Sequence, residues 1–584
     1  MSIIKVLKFG SSVLRTEEDL PLAAHEIYRE WRLGARVLAV VSAFGDTTDR
    51  LLARAQSLCP EPEPAGLAAL LATGEATSAA LLGLALARAG IPVKVLDPAQ
   101  AGLRTTGGRL DAELVSADVE RLREELQSRV VVLPGFVGRD AEGSATLLGR
   151  GGSDLTALFL AERLGGRCVL VKDVDGLYTA DPARPALARP RRFQRVGWGT
   201  AAAVGGKVVQ PKAVRFAESR GLSFEITAPG AAVSTEVCAG PDVTCAPSVS
   251  TPPLRIALLG CGTVGGGVYE RLAALPEFFE VTGVATRTPL RAHAAGVPAH
   301  LNAFGPEELI EGDCDVVVEL VGGVEQAGEF VSRALRLGRH VVTANKALVS
   351  SKWELLERCA AESRVTLRYG AAVGGVVPAL ETVARLREQG RIKSFAGVVN
   401  GTTNFILDRL ASGEEFDSAV RAAQAAGYAE ADPTLDLDGT DAAQKLVLLA
   451  REAFGVRLNV DEVRRVGLEQ AEPARVRAAR DEGLAVRLVA SCRLTEKGVE
   501  ASVVPTELPL AHPLATTEGA ENRLLVETEA GKLHLVKGRG AGRWPTTEAV
   551  LADLFDLRRE LCGVAFEDTA EAFTADVYEE ACVA

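Results

Sequence analysis

The feature that most constrains this chain is a glycine string in its second half. Residues 255–259, Arg-Ile-Ala-Leu-Leu, run into Gly260-Cys261-Gly262-Thr263-Val264-Gly265, and a helical stretch follows at 266–275. The glycines allow a tight turn and let a phosphate approach the amides at the positive end of the helix. Strand, string and helix together predict a Rossmann-type α/β unit, with Gly260, Gly262, Thr263, Val264 and Gly265 against a dinucleotide. After the second strand, 280–285, stand Thr286, Arg287 and Thr288, where a carboxylate would hold a free ribose 2′-hydroxyl. An arginine there pairs with a 2′-phosphate that an acid would repel, so NADP(H) is expected, with Arg287 as a ligand. A third strand, 315–321, ends in Gly322-Gly323 and a fourth, 340–343, in Ala344-Asn345-Lys346. The carboxyl ends of such strands face the ligand crevice, which puts Thr343 and Asn345 near the cofactor and Lys346 where chemistry occurs.

At 584 residues the chain exceeds a single hydrophobic core and predicts three or four domains. Short β-branched runs alternate with Ala/Leu-rich helical ones at 37–42, 65–89, 93–96, 111–127 and 130–133, the rhythm of parallel sheets covered by helices. The stretch 239–253, AGPDVTCAPSVSTPP, is rich in Pro, Ser and Thr and reads as a boundary between two unrelated α/β halves. A net charge of −12 argues against a nucleic-acid partner, and the Arg cluster at 189–192 is short and set among prolines. Ten cysteines without a C-x-x-C pair suggest neither a zinc site nor a disulfide framework. The opening MSIIKVLK reads as a strand, and the apolar run 65–89 is interrupted by Glu75 and Arg88, so no signal peptide and no membrane span are expected. These readings predict a cytoplasmic protein. Only 13 of the 65 basic residues are Lys, so a Lys inside a motif stands out as a group able to change protonation state.

Residues 430–445 hold Glu430, Asp432, Asp436, Asp438 and Asp441, with Lys445 one helical turn after Asp441. On residue types alone, a solvated acidic loop with a routine i,i+4 ion pair accounts for them. The surrounding strings point further. VELVGG (318–323), TANKAL (343–348), VVNGTTNFIL (398–407), AGYAEADPTLDLDGTDAAQKL (426–446) and KGRGAGRWPTTEAVLADL (537–554) together resemble homoserine dehydrogenase. The resemblance implies interconversion of aspartate semialdehyde and homoserine. Glu430 and Asp441 would hold the substrate ammonium, with Asp436 lining the site. Lys445 would be the acid/base group and Lys346 its electrostatic partner, and segment 400–404, Gly401 included, would lie by the nicotinamide. A lysine crowded by a second cation and partly desolvated can have its pKa lowered enough to shuttle a proton to an alkoxide. One departure stands in the family's monovalent-cation loop, where a Glu is common and this chain has Gly370. That leaves the backbone carbonyls near Val373 and Gly375 as candidate cation ligands.

In the first half, Lys8-Phe9-Gly10-Ser11-Ser12 follows the first strand, and LGRGGSD (148–154) opens an apolar helix. Such glycine turns are anion cradles, although no P-loop signature is present. VVSAFGDTTDRLL (40–52), ATGEATS (72–78), LGRGGSDLTA (148–157), KDVDGLYTADP (172–182) and GGKVVQPKAV (205–214) resemble the amino-acid kinase superfamily and, within it, aspartate kinase. The resemblance implies a three-layer α/β/α fold using ATP with Mg²⁺. Lys8 and Asp154 would belong to the catalytic centre, Ser42, Thr48, Glu75 and Arg150 would bind the amino acid, and Asp173 and Lys207 would sit by the nucleotide. A carboxylate acceptor, ordinarily ionised above about pH 3.9, needs no general base, only alignment and charge neutralisation. The opening K-F-G-S-S-V is one residue shorter than the family's K-F-G-G-T-S-V, and Gln210 replaces the usual His before Pro.

Fused enzymes of this kind usually carry two small amino-acid-binding (ACT) domains between the catalytic parts. Here fewer than 30 residues separate the last kinase strand, near 222–227, from Leu254, too few for any domain. The expected organisation is a kinase domain at 1–238, a linker at 239–253, an NADP-binding domain at 254–370, an α+β catalytic and dimerisation domain at 371–536, and a segment, 537–584, returning to the Rossmann domain. A homo-oligomer is implied by the family. The kinase half reads either as an active aspartate kinase or as a degenerate or different-specificity amino-acid kinase domain serving as a binding or oligomerisation module. His512, Trp198 and Trp544 read as packing or loop residues.

Overall fold

The computed structural model describes residues 3–182, 184, 190–206, 208–245, 251–303 and 305–567. In the first half, nine strands form one sheet whose centre runs Arg167–Val171, Ile4–Phe9, Arg36–Val41, Val130–Pro134, all parallel. Side chains alternate faces along a strand, and both faces of this sheet are covered. Val6, Leu38, Val40 and Val131 meet Leu158, Ala161 and Val214 on one side. Leu7, Val37, Ala39 and Val132 meet Ala23, Ile27, Leu82 and Leu86 on the other. The result is the expected three-layer kinase fold, with the carboxyl ends of the central strands at one edge.

Two expectations change. The run 111–127 is not one helix: Asp111–Ser116 is a strand, paired in a hairpin with Arg104–Gly108. A helix starts only at Val119–Glu125, where the Asp118 carboxylate accepts from the Arg121 N–H at 3.1 Å. The stretch 239–253, expected as linker, contributes Val243–Cys245 as an edge strand antiparallel to Arg192–Gly197. Between Thr227 and Leu254 the described residues form only two strands of the kinase sheet, with no further domain. The helix Pro64–Ala89 is long and apolar enough to cross a bilayer, but half of its most apolar stretch is buried and it covers the kinase sheet, as a core helix does.

The second half opens with a six-stranded parallel sheet centred on Leu254–Leu259, flanked by Phe279–Ala285 and Val316–Glu319. A six-stranded sheet of largely antiparallel strands follows, from Ile392–Val398 to Leu533–Arg539. One face of it is covered by Ala379–Gln389, Gly401–Ala411 and Thr440–Phe454. The last helix, Arg543–Glu567, returns across the helix Thr263–Ala273 of the Rossmann unit.

That last helix also joins the halves. Phe555 packs edge-on to Phe278 and Phe279 and stacks on His25 of the kinase helix Leu20–Arg32, centroids 4.2 Å apart. Arg32 is buried and reaches Asp553 at 2.6 Å, Glu381 at 2.6 Å and Asp556 at 3.2 Å, all in the second half. His25 meets Glu548 at 3.1 Å, and Glu548 also takes Arg271 at 3.3 Å. Removing one member of a buried ionic cluster leaves the others uncompensated, a loss of about 3–5 kcal/mol. Arg32→Ala is therefore expected to lower the urea-unfolding midpoint by that equivalent, with Arg32→Lys intermediate; an unchanged midpoint contradicts the role given to the cluster.

Two candidate active sites

In the Rossmann unit each glycine of the string meets a different constraint. Gly260 sits at φ 98°, and a Cβ there would stand 2.6 Å from the Leu320 carbonyl oxygen. At Gly265 a Cβ would lie 2.0 Å from the Gly260 carbonyl oxygen, so only glycine lets the helix close on the turn. Gly262 faces open space at the N-terminus of Thr263–Ala273, where a pyrophosphate fits. Beyond it a recess of about 250 Å³ is lined by Gly260, Thr286, Arg287, Thr288 and Arg291. Neither arginine pairs with a carboxylate among the described residues, and Arg291, one turn after Arg287, escaped the sequence reading. Thr263, Val264 and Gly265 continue into the helix and do not line that recess.

Thr343 and Asn345 are buried and brace the backbone instead of facing a cleft. The Thr343 hydroxyl donates to Glu319 at 2.6 Å, and Glu319 accepts from the Val321 and Gly322 amides. Asn345 donates to the Gly323 carbonyl at 2.7 Å and caps the helix that begins at Lys346. Both side chains thus brace the glycine turn at the strand end where a cofactor is expected.

A cleft of about 610 Å³ gathers Lys346, Asn400, Gly401, Glu430, Asp436, Asp441 and Lys445. Gly439, at φ 82°, starts the helix Thr440–Phe454, so Asp441 lies in its first turn and Lys445 one turn later. Asp441 is shared: Oδ2 is 2.8 Å from Lys445 Nζ and Oδ1 is 3.0 Å from Lys346 Nζ. Lys445 also donates to the Val399 carbonyl at 2.6 Å, and Asn400 bridges Asp436 and Asp441 at 2.7 and 2.9 Å. Burial alone would raise the Asp441 pKa, yet the two lysines overcome it and hold the carboxyl well below its ordinary value. Asp441 in turn raises the pKa of Lys346 against the effect of burial. A carboxylate stands between the two lysines, and Lys346 stays cationic. Burial and the Asp441 charge raise the pKa of Asp436. Glu430 lines the cleft with no side-chain partner among the described residues.

Trp544, read as packing, in fact lines this cleft between the guanidinium groups of Arg88 and Arg543, at 4.5 and 4.7 Å. Its place after the glycines of KGRGAGRW was the available signal. Trp198 does pack on the kinase core, and the His512 Nδ1 accepts from the Leu514 N–H in a turn. A side chain at Gly370 does not fit, because a Cβ there would meet the Arg32 guanidinium and Asp553, both at 2.8 Å. Val373 and Gly375 lie in the following turn, where Gly375 abuts the Arg539 and Gly540 carbonyls.

In the kinase half a cleft of about 880 Å³ opens at the carboxyl ends of the central strands, lined by Lys8, Gly10, Ser42, Asp154, Lys172 and Asp173. Asp154 is held by Lys8 at 2.7 Å and by Lys172 at 2.9 Å. Lys172 follows the strand Arg167–Val171 and was missed, although it begins the string KDVDGLYTADP. Burial, then the charge of Lys8, lowers its pKa to about 8. The Ser42 hydroxyl meets that of Ser153 at 2.8 Å. Glu75 is buried behind Ser42; it accepts from the Ala43 N–H at 3.4 Å while its other oxygen has no partner. Burial pushes its pKa up to about 7. Arg150 is exposed between Gly149 and Gly151, both at positive φ, and neither it nor half-buried Thr48 lines the cleft. Lys207 lies outside the described residues.

Comparison with known proteins agrees with this geometry. Residues 4–227 match the amino acid kinase family, 260–370 the NAD-binding domain of homoserine dehydrogenase, and 378–555 homoserine dehydrogenase itself. The homoserine dehydrogenase of Mycobacterium leprae is 39% identical over 314 residues, covering 51% of this chain and 71% of that protein. That of Pseudomonas aeruginosa is 37% identical over 319 residues, covering 53% and 73%. A crystal structure of a homoserine dehydrogenase from Thiobacillus denitrificans superposes with a TM-score of 0.51 at 37% identity, covering 53% of this chain and 74% of that one. The nicotinamide-binding unit, the lysine-flanked carboxylate cleft and these matches agree: the chain belongs to the homoserine dehydrogenase family and carries an amino-acid kinase domain ahead of its dehydrogenase.

Proposed function

We propose that the dehydrogenase half interconverts aspartate semialdehyde and homoserine with NADP(H), and that the kinase half phosphorylates the β-carboxylate of aspartate with ATP and Mg²⁺. The observation that carries the first assignment is Asp441 shared between Lys445 and Lys346 inside one cleft. The cofactor, when bound, supplies or accepts the hydride. Glu430 and Asp441 receive the substrate ammonium, and Asp436 closes that side of the site. Lys445 holds the proton for the nascent alkoxide, aimed by the Val399 carbonyl. Lys346 keeps its charge and stabilises the developing oxyanion. Arg287 and Arg291 form a cationic recess suited to a 2′-phosphate.

In the kinase half, ATP with Mg²⁺ supplies the phosphoryl group. Lys8 and Lys172, with Asp154 between them, neutralise charge on that group, and the amides of Gly10–Ser12 and the N-terminus of Gly152–Leu164 face the same cleft. Ser42 stands on the amino-acid side of the cleft, and Glu75 is buried near it with one oxygen unpartnered. A second reading, in which this half serves only as a binding or oligomerisation module, draws support from Arg150 standing outside the cleft. Homo-oligomerisation would cover Leu533 and Leu535, exposed on the sheet face turned away from the helices.

Three outcomes are expected. In the full chain, Lys445→Ala lowers homoserine oxidation about 10²- to 10⁴-fold and leaves aspartyl hydroxamate formation intact, while Asp154→Asn does the reverse; no hydroxamate from the wild type would favour the module reading. The rate of that kinase reaction falls as pH rises past about 8, because Lys172 is cationic below its pKa and neutral above it; Lys172→Arg, which keeps its charge, should abolish that alkaline limb. Arg287→Gln raises the KM for NADPH about 10- to 100-fold and leaves that for NADH little changed.

A further inference from the structure

The dehydrogenase cleft is completed by the other half of the chain. Arg88 stands in the last turn of the kinase helix Pro64–Ala89, yet it lines the same cleft as Lys346, Glu430 and Lys445. Its guanidinium lies over the Trp544 ring. The end of that helix is fixed against the dehydrogenase by backbone: Gly90, at φ 88°, stops the helix, and its carbonyl accepts from the Arg539 N–H at 3.1 Å. A Cβ on Gly90 would stand 2.6 Å from the Arg539 Cβ and 3.1 Å from the Pro545 Cγ, so the approach is as close as chains allow.

The charges of the cleft show what Arg88 is free to do. An α-amino acid brings an ammonium and a carboxylate, and each needs a partner. The acidic wall of Glu430, Asp436 and Asp441 suits the ammonium. Of the cations, Lys346 and Lys445 are both engaged by Asp441, and Arg543 pairs with Glu270 at 2.7 Å. Arg88 and Arg539 are the lining cations that pair with no carboxylate among the described residues. A planar guanidinium is well suited to grip a carboxylate through two parallel hydrogen bonds.

We propose that Arg88, supplied by the kinase half, is an anion-binding residue of the dehydrogenase cleft that takes the α-carboxylate of the amino-acid substrate, with Arg539 beside it. The assignment rests on the dehydrogenase reading of that cleft. A phosphate of the cofactor offers the same chemistry, so substrate and cofactor are varied separately. The experiment compares wild type, Arg88→Gln and Arg88→Lys as full chains. With Arg88→Gln the KM for homoserine is expected to rise about 10- to 100-fold, with kcat within about threefold, an unchanged KM for NADP⁺ and partial rescue by Lys. Kinase activity, which Arg88 does not serve, should remain and report an intact fold. A rise in the KM for NADP⁺ alone would retain the anion site and assign it to a cofactor phosphate. If both KM values stay within about twofold of wild type, or if kcat alone falls, the proposal is overturned. Calorimetric titration of homoserine and of NADPH reads the same affinities without turnover. An inactive wild type would thus count against the dehydrogenase reading, while the titration still decides the role of Arg88.

Discussion

One buried carboxylate between two lysines underlies both halves of this protein. Two ammonium groups a few ångströms apart in a low-dielectric pocket repel strongly, and a single carboxylate makes the arrangement tolerable while leaving one net positive charge. Asp441 does this for Lys346 and Lys445, and Asp154 for Lys8 and Lys172. The surplus charge suits each reaction, since a reduced carbonyl and a transferring phosphoryl group both present anionic oxygen. The two triads arise differently. One comes from a helix turn, Asp441 and Lys445 being four apart; the other comes from the ends of two adjacent parallel strands and a helix N-terminus.

The halves are more than tethered. With no module between them in the described residues, the kinase helix Leu20–Arg32 lies directly on the returning helix Arg543–Glu567. Arg32 brings a buried charge to three carboxylates of the dehydrogenase, beside Gly370. The missing side chain at 370, odd when that half is considered alone, makes room for Arg32. A departure from a family pattern is here the imprint of the neighbouring domain.

Much of this was legible in the sequence, because local rules govern it. The glycine string, the strand ends and the i,i+4 pair Asp441–Lys445 depend on short stretches whose geometry is nearly fixed. What escaped depended on distant segments meeting. Lys172 gained its meaning only when its strand lay beside Ile4–Phe9, and Arg88 only when its helix reached the other half. Thr343 and Asn345 stand at the strand end expected to face the ligand, and what the sequence did not show is that their buried hydroxyl and amide groups brace the turn there through Glu319 and the Gly323 carbonyl. The hairpin at 104–116 was hidden by helix-forming residues whose pairing is set by the strands around them.

The helix Pro64–Ala89 carries Glu75 toward one cleft and Arg88 into the other. They stand thirteen positions apart, about 20 Å of continuous α-helix. Along that rod, azimuth and distance are locked together: one inserted residue would swing Arg88 by about 100° and push it about 1.5 Å further along the axis. The stretch between the two side chains therefore behaves as a gauge block: its exposed positions can change while buried Leu82 and Leu86 hold it to the sheet, and in a family of such fusions it should tolerate no insertion or deletion.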